Sequence, residues 1–231
     1  MQLDENGLVK GKRSGDVLET AFKMFSHAAI DSISMTDIAD EARIGVATIY
    51  RYFGTKQNLV IRACAYAMRM RTEKVLQRFK EENVAERRGI EQIEYLLMGF
   101  VQDYEEQLDL LRFTTNVDQY FLDDSNKEAL IPCREAMKPI FDLYYHAFDL
   151  AIEQGDVIPE YCDREYQTCS IMAIMGAAQK YAANGIFCGA DVARQKNWLT
   201  WQAKMTLHFL GGGAAHRSLI PVYRAAVRKV A

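Results

Sequence analysis

The chain has 231 residues, and its 28 lysines and arginines against 31 aspartates and glutamates leave a net charge of −3. Nucleic-acid affinity, if present, must therefore come from local charge on one face and not from the whole molecule. An apolar fraction of 49% and a charged fraction of 26% suit a globular chain with one large or two modest cores. Only four prolines and no long β-branched alternation favour an all-helical fold. Cys64, Cys133, Cys162, Cys169 and Cys188 are scattered, odd in number and without a C-x-x-C pair. That argues against a secreted disulfide framework and for a reducing cytoplasm. The first residues, MQLDENGLVKGKRSGD, lack an apolar signal core. The apolar run Ile171–Ala178 stops at Gln179 and Lys180, short of the roughly 20 residues a membrane span needs.

Residues up to about 12 read as a solvated arm, with Lys10, Lys12 and Arg13 offset by Asp4, Glu5 and Asp16. The segment Ser34–Leu59, SMTDIADEARIGVATIYRYFGTKQNL, carries the strongest signal in the chain. Ser34 is placed to cap a short helix, and Asp37 sits three positions on, near the positive helix end. Ile38, Ala39 and Ala42 share one face. Gly45 marks the turn. Val46–Tyr52 form a second helix too short to stand alone, held inward by Ile49 and Phe53. Val46, Ala47, Thr48, Tyr50 and Arg51 are left for an outward face. Gly54 ends the run, and Thr55 caps a third helix with Lys56 in its first turn. A lysine there opposes the helix dipole unless an anion such as a phosphate sits nearby. A short helix pair of this kind serves to place its second member in a DNA major groove.

In their order, Ala21 and Phe25, Ser34, Ile38-Ala39, Thr48-Ile49-Tyr50, Tyr52-Phe53 and Lys56 resemble the tetracycline-repressor-like (TetR) family of bacterial transcriptional regulators. The resemblance runs from about Val17 to Leu59. It implies an all-α protein: a three-helix helix-turn-helix domain over residues 1–58, then a helical effector-binding and dimerisation domain over 59–231. It also implies a double-stranded DNA operator, a small-molecule effector and a homodimer as partners, and no catalysis. The DNA-contacting set is then Ser34, Thr36, Arg43, Gly45, Val46, Ala47, Thr48, Tyr50, Arg51, Tyr52 and Lys56, with Lys56 on phosphate and Thr48 and Arg51 at base edges. This chain departs from the family at Ala29, Arg43 and Ala47, where glycines are usual, and at Gly45, where a capping Ser or Thr is usual. The Arg43 and Gly45 departures read as one swap that moves the flexible turn position by two residues.

Beyond Leu59 a long helix is expected to about Glu82, then a loop or weak helix over Asn83–Gly89. Helices follow over Ile90–Glu106 and Leu108–Leu122, with a turn at Asp123–Asn126. Lys127–Gln154 reads as a helix that Pro132 or Pro139 kinks or opens, stopped by Gly155. Asp163 caps a helix to about Phe187, and Asp191 opens the last, to Leu210. Small residues Ala173, Gly176, Ala177, Ala178, Ala182 and Ala183, with Trp198, Trp201, Met205 and Phe209, suit either an intrachain core or a four-helix interface between two copies. The family resemblance favours the interface. The tail around Arg217, Leu219, Tyr223, Arg224 and Arg228 reads as a basic amphipathic helix on the body.

Phe100, Tyr104, Phe113, Asn116, Tyr120, Phe141, Tyr144, Tyr145 and Tyr181 are candidate contacts for a largely apolar ligand with a few polar groups. The same residues at helical spacing equally fit a plain core. No cofactor or metal is expected: His27, His146, His208 and His216 lack metal-site spacing, and Gly7–Lys12 lacks the spacing of a phosphate loop. Cys169 and Cys188 are expected to be buried. A helical small-molecule-binding protein or enzyme that has lost DNA binding is the alternative reading.

Overall fold

The computed structural model describes residues 12–122, 127–157, 163–183, 189 and 191–210. Every regular element among them is helical: α1 (Lys12–His27), α2 (Met35–Glu41), α3 (Val46–Phe53), α4 (Lys56–Glu81), α5 (Gly89–Gln102), α6 (Leu108–Tyr120), α7 (Ile131–Glu153), α8 (Arg164–Ala182) and α9 (Val192–Leu210), with short 3₁₀ turns between some of them. The expected arm, the 123–126 turn, Cys162, Cys188 and the basic tail lie outside the described residues.

The described residues form two compact units, one within Met1–Gln77, Glu106–Ile140 and Ala182–Gly185, the other within Arg78–Glu105, Phe141–Tyr181 and Ile186–Ala231. In the first, α1, α2, α3, the start of α4 and α6 enclose one apolar cluster. Ile38 and Ala39 of α2, Ile49 and Phe53 of α3, and Val17, Ala21 and Phe25 of α1 are buried in it. Phe113 of α6 meets Phe22 edge-on at 5.5 Å and stacks on Phe25 at 6.1 Å between ring centroids. Burial of an aromatic of this size is worth roughly 1.5–3 kcal/mol. One turn further on, the Asn116 amide donates to the carbonyls of Phe25 (2.7 Å) and Ala28 (3.2 Å), satisfying carbonyls that the end of α1 leaves without helical partners. On the same helix, Arg112 Nε donates to the carbonyl of Ala182, the last residue of α8 (3.1 Å). The Thr72 hydroxyl donates to the Ala136 carbonyl at 2.8 Å, joining α4 to α7.

In the second unit α5 packs on α7 and α9. The backbone at Gly89 comes so close to α7 that a Cβ there would lie 2.2 Å from the Ala151 nitrogen. The junction is fixed by Gly89 N–H donating to Gln154 (2.9 Å) and by Arg88 forking onto Asp156 (3.1 and 2.6 Å). Tyr104 donates to Gln195 at 2.8 Å, and the Gln195 amide donates in turn to the Tyr181 and Gly189 carbonyls. Arg78 and Asp103 pair at 2.8 Å. Asp163 accepts from the Glu165 N–H (2.7 Å) at the start of α8, and Asp191 from the Arg194 N–H (3.0 Å) at the start of α9, as the sequence leads one to expect.

Three of the sequence-based boundaries and one expected burial need correction. The fifth helix stops at Gln102, and Tyr104 lies beyond it, followed by a 3₁₀ turn at Glu105–Gln107. Lys127–Leu130 form a 3₁₀ turn and not the start of α7, which begins at Ile131 with Pro132 in its first turn; a proline fits there because that turn's N–H groups have no helical acceptor. α8 ends at Ala182. Cys169 is exposed, because it lies on the outward side of α8.

Candidate nucleic-acid interface

The site is built on three short elements. At the start of α2 the Ser34 hydroxyl accepts from the Asp37 N–H (3.1 Å), and the Asp37 carboxylate accepts from the Ser34 N–H (2.7 Å). This reciprocal box satisfies two end donors at once. The bonds from the Ser34 backbone and hydroxyl hold the Asp37 carboxyl below its ordinary range. The end of α2 is closed by two backbone bonds, Arg43 N–H to Asp40 O (3.1 Å) and Ile44 N–H to Ala39 O (2.9 Å). This pairing requires a left-handed residue just past the helix. Arg43 is that residue, with φ 54°.

The expected swap of turn flexibility is thereby overturned. The left-handed position stays at 43 and is filled by arginine, whereas Gly45 sits at φ −69°, ψ 138° as the residue before α3, a conformation open to any residue. No side chain caps α3, since Gly45 has none to offer. Ala29 adopts φ −57°, so no glycine is needed there either.

α3 buries Ile49 and Phe53 and turns the rest outward. Ala47 and Arg51 are exposed and Tyr50 is 50% exposed, while Val46, Thr48 and Tyr52 are half-buried. Val46 and Tyr52 also pack on the core. The Arg51 guanidinium lies 5.3 Å from the centre of the Tyr52 ring, which aims it along the helix surface. Arg62 of α4 donates to the Tyr52 carbonyl (3.4 Å) and lies over the Phe53 ring, fixing the end of α3. Thr48, Arg51, Tyr52, Arg43 and Gly45, with Asp16, Ala42 and Ile44, line a concavity of about 440 Å³. Asp16, Ala42 and Ile44 were not among the site residues expected from sequence. The signal for Ile44 was available, since the second residue past a helix closed this way commonly packs back on it.

Ser34 and Thr36 are exposed on α2. Thr55 accepts from the Asn58 N–H (3.1 Å) and so opens α4. Lys56 Nζ donates to the Asp31 carbonyl at 3.3 Å, which offsets its unfavourable place at the positive helix end and holds the ammonium beside α2 and α4.

The candidate ligand contacts fall into two groups. Phe113, Asn116 and Tyr120 belong to the first unit, where Asn116 is engaged with α1 and Tyr120 meets Phe121 edge-on. Phe100, Tyr104, Phe141, Tyr144, Tyr145 and Tyr181 belong to the second. There the Tyr144 and Tyr145 hydroxyls bond Ser170 (3.1 Å) and Thr168 (2.7 Å), and Tyr181 meets Trp198 edge-on at 5.5 Å. Tyr104 and Tyr144 are fully buried. Burial, opposed in part by the Ser170 bond, pushes the Tyr144 hydroxyl up to about 12.

Comparison with known proteins agrees with this geometry. Residues 17–63 match the family of bacterial regulatory proteins, tetR family. An HTH-type transcriptional regulator of Staphylococcus aureus (strain USA300) is 25% identical over 142 residues, which cover 56% of this chain and 64% of that protein. The chain thus spans less than two-thirds of that relative's length. Among solved structures, FadR from Bacillus subtilis, a transcriptional regulator in complex with stearoyl-CoA, superposes with a TM-score of 0.61 at 14% identity, covering 84% of this chain and 98% of that one. The fatty acid degradation regulator FadR from Bacillus halodurans gives 0.61 at 18% identity, covering 89% and 98%.

A capped α2, a left-handed turn and a short α3 with an outward polar face, set before a helical body, define a helix-turn-helix protein. Over residues 17–63 the chain is similar to the tetR family of bacterial regulatory proteins, and its fold is that of the two FadR regulators. No helix among the described residues is long and apolar enough to cross a membrane.

Proposed function

We propose that the protein is a homodimeric transcriptional repressor that leaves a palindromic operator when a small, largely apolar effector binds. The observation that carries this reading is α3: a helix pinned from beneath by Ile49 and Phe53, with Ala47, Tyr50 and Arg51 held out to solvent. Thr48 and Arg51 reach base edges, and Tyr50, Tyr52 and Lys56 place the duplex on its phosphates. Lys56 gives up its carbonyl partner Asp31 for a phosphate, a stronger charge-assisted bond.

Two copies associate through α8 and α9. Trp201, Met205 and Phe209, spaced by four on α9, are 60%, 51% and 46% exposed, and Met172 of α8 is half exposed. Ala173, Gly176 and Ala183 are exposed on α8, whereas Ala178 and Ala182 face the core. Large side chains on one helix and small ones on the other suit a self-complementary patch, and an exposed apolar face of this kind is rare on monomers. The effector class rests on the aromatic content of the body. The relative bound to stearoyl-CoA is consistent with it through the shared fold alone. The effector acts only insofar as it binds the DNA-free conformation more tightly.

Gel-shift titration at fixed salt tests the surface. Tyr50→Ala and Lys56→Ala weaken operator binding while sedimentation still reports a dimer. Unchanged affinity in both variants refutes the proposed face.

A further inference from the structure

Two thiols unconnected with the DNA-facing residues meet inside the first unit. Cys64 lies in the third turn of α4, and Cys133 is the third residue of α7. Both belong to the same apolar cluster and are 1% and 4% exposed. Cys133 Sγ lies 3.5 Å from the Ile61 carbonyl, one turn before Cys64 on α4, so the two thiols are neighbours within the cluster and each shifts the other's titration. Cys64 Sγ is also 3.9 Å from Met68 Sδ. A single buried cysteine is an ordinary small apolar residue. Two that come from separate helices into one cluster, one thiol resting against the turn that carries the other, are within reach of a disulfide.

The pair is chemically unequal. The neighbouring Cys64 lowers the Cys133 thiol, assisted by Arg134 and opposed by burial, while Cys133 and burial push Cys64 well up. Cys133 also sits in the first turn of a helix, where the dipole favours a thiolate. A first turn opens at less cost than a helix centre, and the nearby Ile131 is already 46% exposed, so a small reagent has a route to Cys133 before Cys64.

We propose that Cys64 and Cys133 are an oxidisable dithiol, a modification site for small two-electron oxidants of the peroxide class, which closes to a disulfide tying α4 to the start of α7. The Cys133 thiolate attacks one peroxide oxygen; the O–O bond breaks and the leaving hydroxide takes a proton to become water, giving a sulfenic acid. The Cys64 sulfur then attacks the Cys133 sulfur; the S–O bond breaks, and the departing hydroxide takes the Cys64 proton as a second water. Two thiols lose two electrons and two protons, and one peroxide becomes two waters.

The test uses the full chain with hydrogen peroxide, quenched by alkylation under denaturing conditions and read by mass spectrometry. The expected product has lost two hydrogen atoms, is not alkylated at either residue, yields one cross-linked peptide joining Cys64 to Cys133, and reverts with dithiothreitol. A Cys162→Ser, Cys169→Ser, Cys188→Ser variant gives the same product, with a raised melting temperature after oxidation. The proposal is overturned if the unaltered chain keeps both thiols alkylatable, if Cys133 only accumulates oxygen atoms, or if the disulfides formed all run through Cys169. This readout is independent of DNA, so its failure leaves the operator-binding reading untouched.

Discussion

Arg43 holds the backbone angle on which the relation of α2 to α3 depends, and it does so against its own preference. A left-handed conformation costs a side-chain-bearing residue roughly 1–2 kcal/mol, part of which glycine returns through its freer unfolded chain. Arg43→Gly is therefore expected to stabilise the protein by about 1 kcal/mol, a rise of about 2–4 °C in a thermal melt for a chain of this size. If Arg43 also contacts the duplex, the same variant loses DNA affinity as it gains stability, and the two measurements together separate its roles. The sequence placed the departures at Arg43 and Gly45 correctly but assigned them the wrong geometry. Which residue takes the positive φ depends on where α2 closes, and only the bonds from Arg43 and Ile44 back to Asp40 and Ala39 decide that. A second residue with a measurable consequence is Tyr144. Its folded-state value, about 12, lies above the ordinary tyrosine value near 10. The folded protein keeps this proton where the unfolded chain releases it. Stability from this group is therefore complete below about pH 10 and is lost as pH rises towards 12. Urea unfolding at pH 9 and 11.5 should show the decline, and Tyr144→Phe should flatten it.

Helix existence was legible from Ser34 onward, because apolar spacing, Ser34, Asp163 and Asp191 caps, and Gly54 and Gly155 stops are local signals, whereas α1 followed only from the family resemblance. Helix ends at Gln102 and Ala182 were not, because nothing in the local sequence forbids another turn there. The packing of α5 on α7 was equally hidden. Gly89 reads as a loop glycine, yet it is where one helix rests on the backbone of another. A methyl group would meet the Ala151 nitrogen at 2.2 Å and the Ala147 carbonyl at 2.6 Å, neither of which yields as a flexible side chain would. Gly89→Ala is expected to destabilise by about 3 kcal/mol, measured as a lower urea midpoint with an unchanged slope. On α6, Asn116, a candidate ligand contact from sequence, has a structural role that spacing does not reveal. Its amide closes the end of α1. Asn116→Ala leaves carbonyls of Phe25 and Ala28 without these donors and is expected to cost about 1–2 kcal/mol, with hydrogen exchange accelerating first at the end of α1.

At the scale of the molecule, the described residues leave an exposed stripe of Trp201, Met205 and Phe209 that a single copy does not explain. Trp201→Glu puts a charge at its centre. Sedimentation should then show monomers at concentrations where the unaltered chain is dimeric, and operator affinity should fall at least tenfold, because one recognition helix has then lost its tethered partner. A variant that stays dimeric with full affinity would move the interface elsewhere. The sequence by itself determined the helical class, the helix-turn-helix and the likeness to one family of regulators, since these rest on spacing, caps and glycines within about forty consecutive residues, Val17 to Leu59. It left two matters open. One was which small residues of α8 face inward: Ala178 and Ala182 do, and Ala173 and Gly176 do not. The other was that Cys64 and Cys133, nearly seventy residues apart, share one apolar cluster. Both were decided by tertiary structure, because a helical pattern fixes which residues share a face but not what that face meets. The answer comes from the packing of elements distant along the chain.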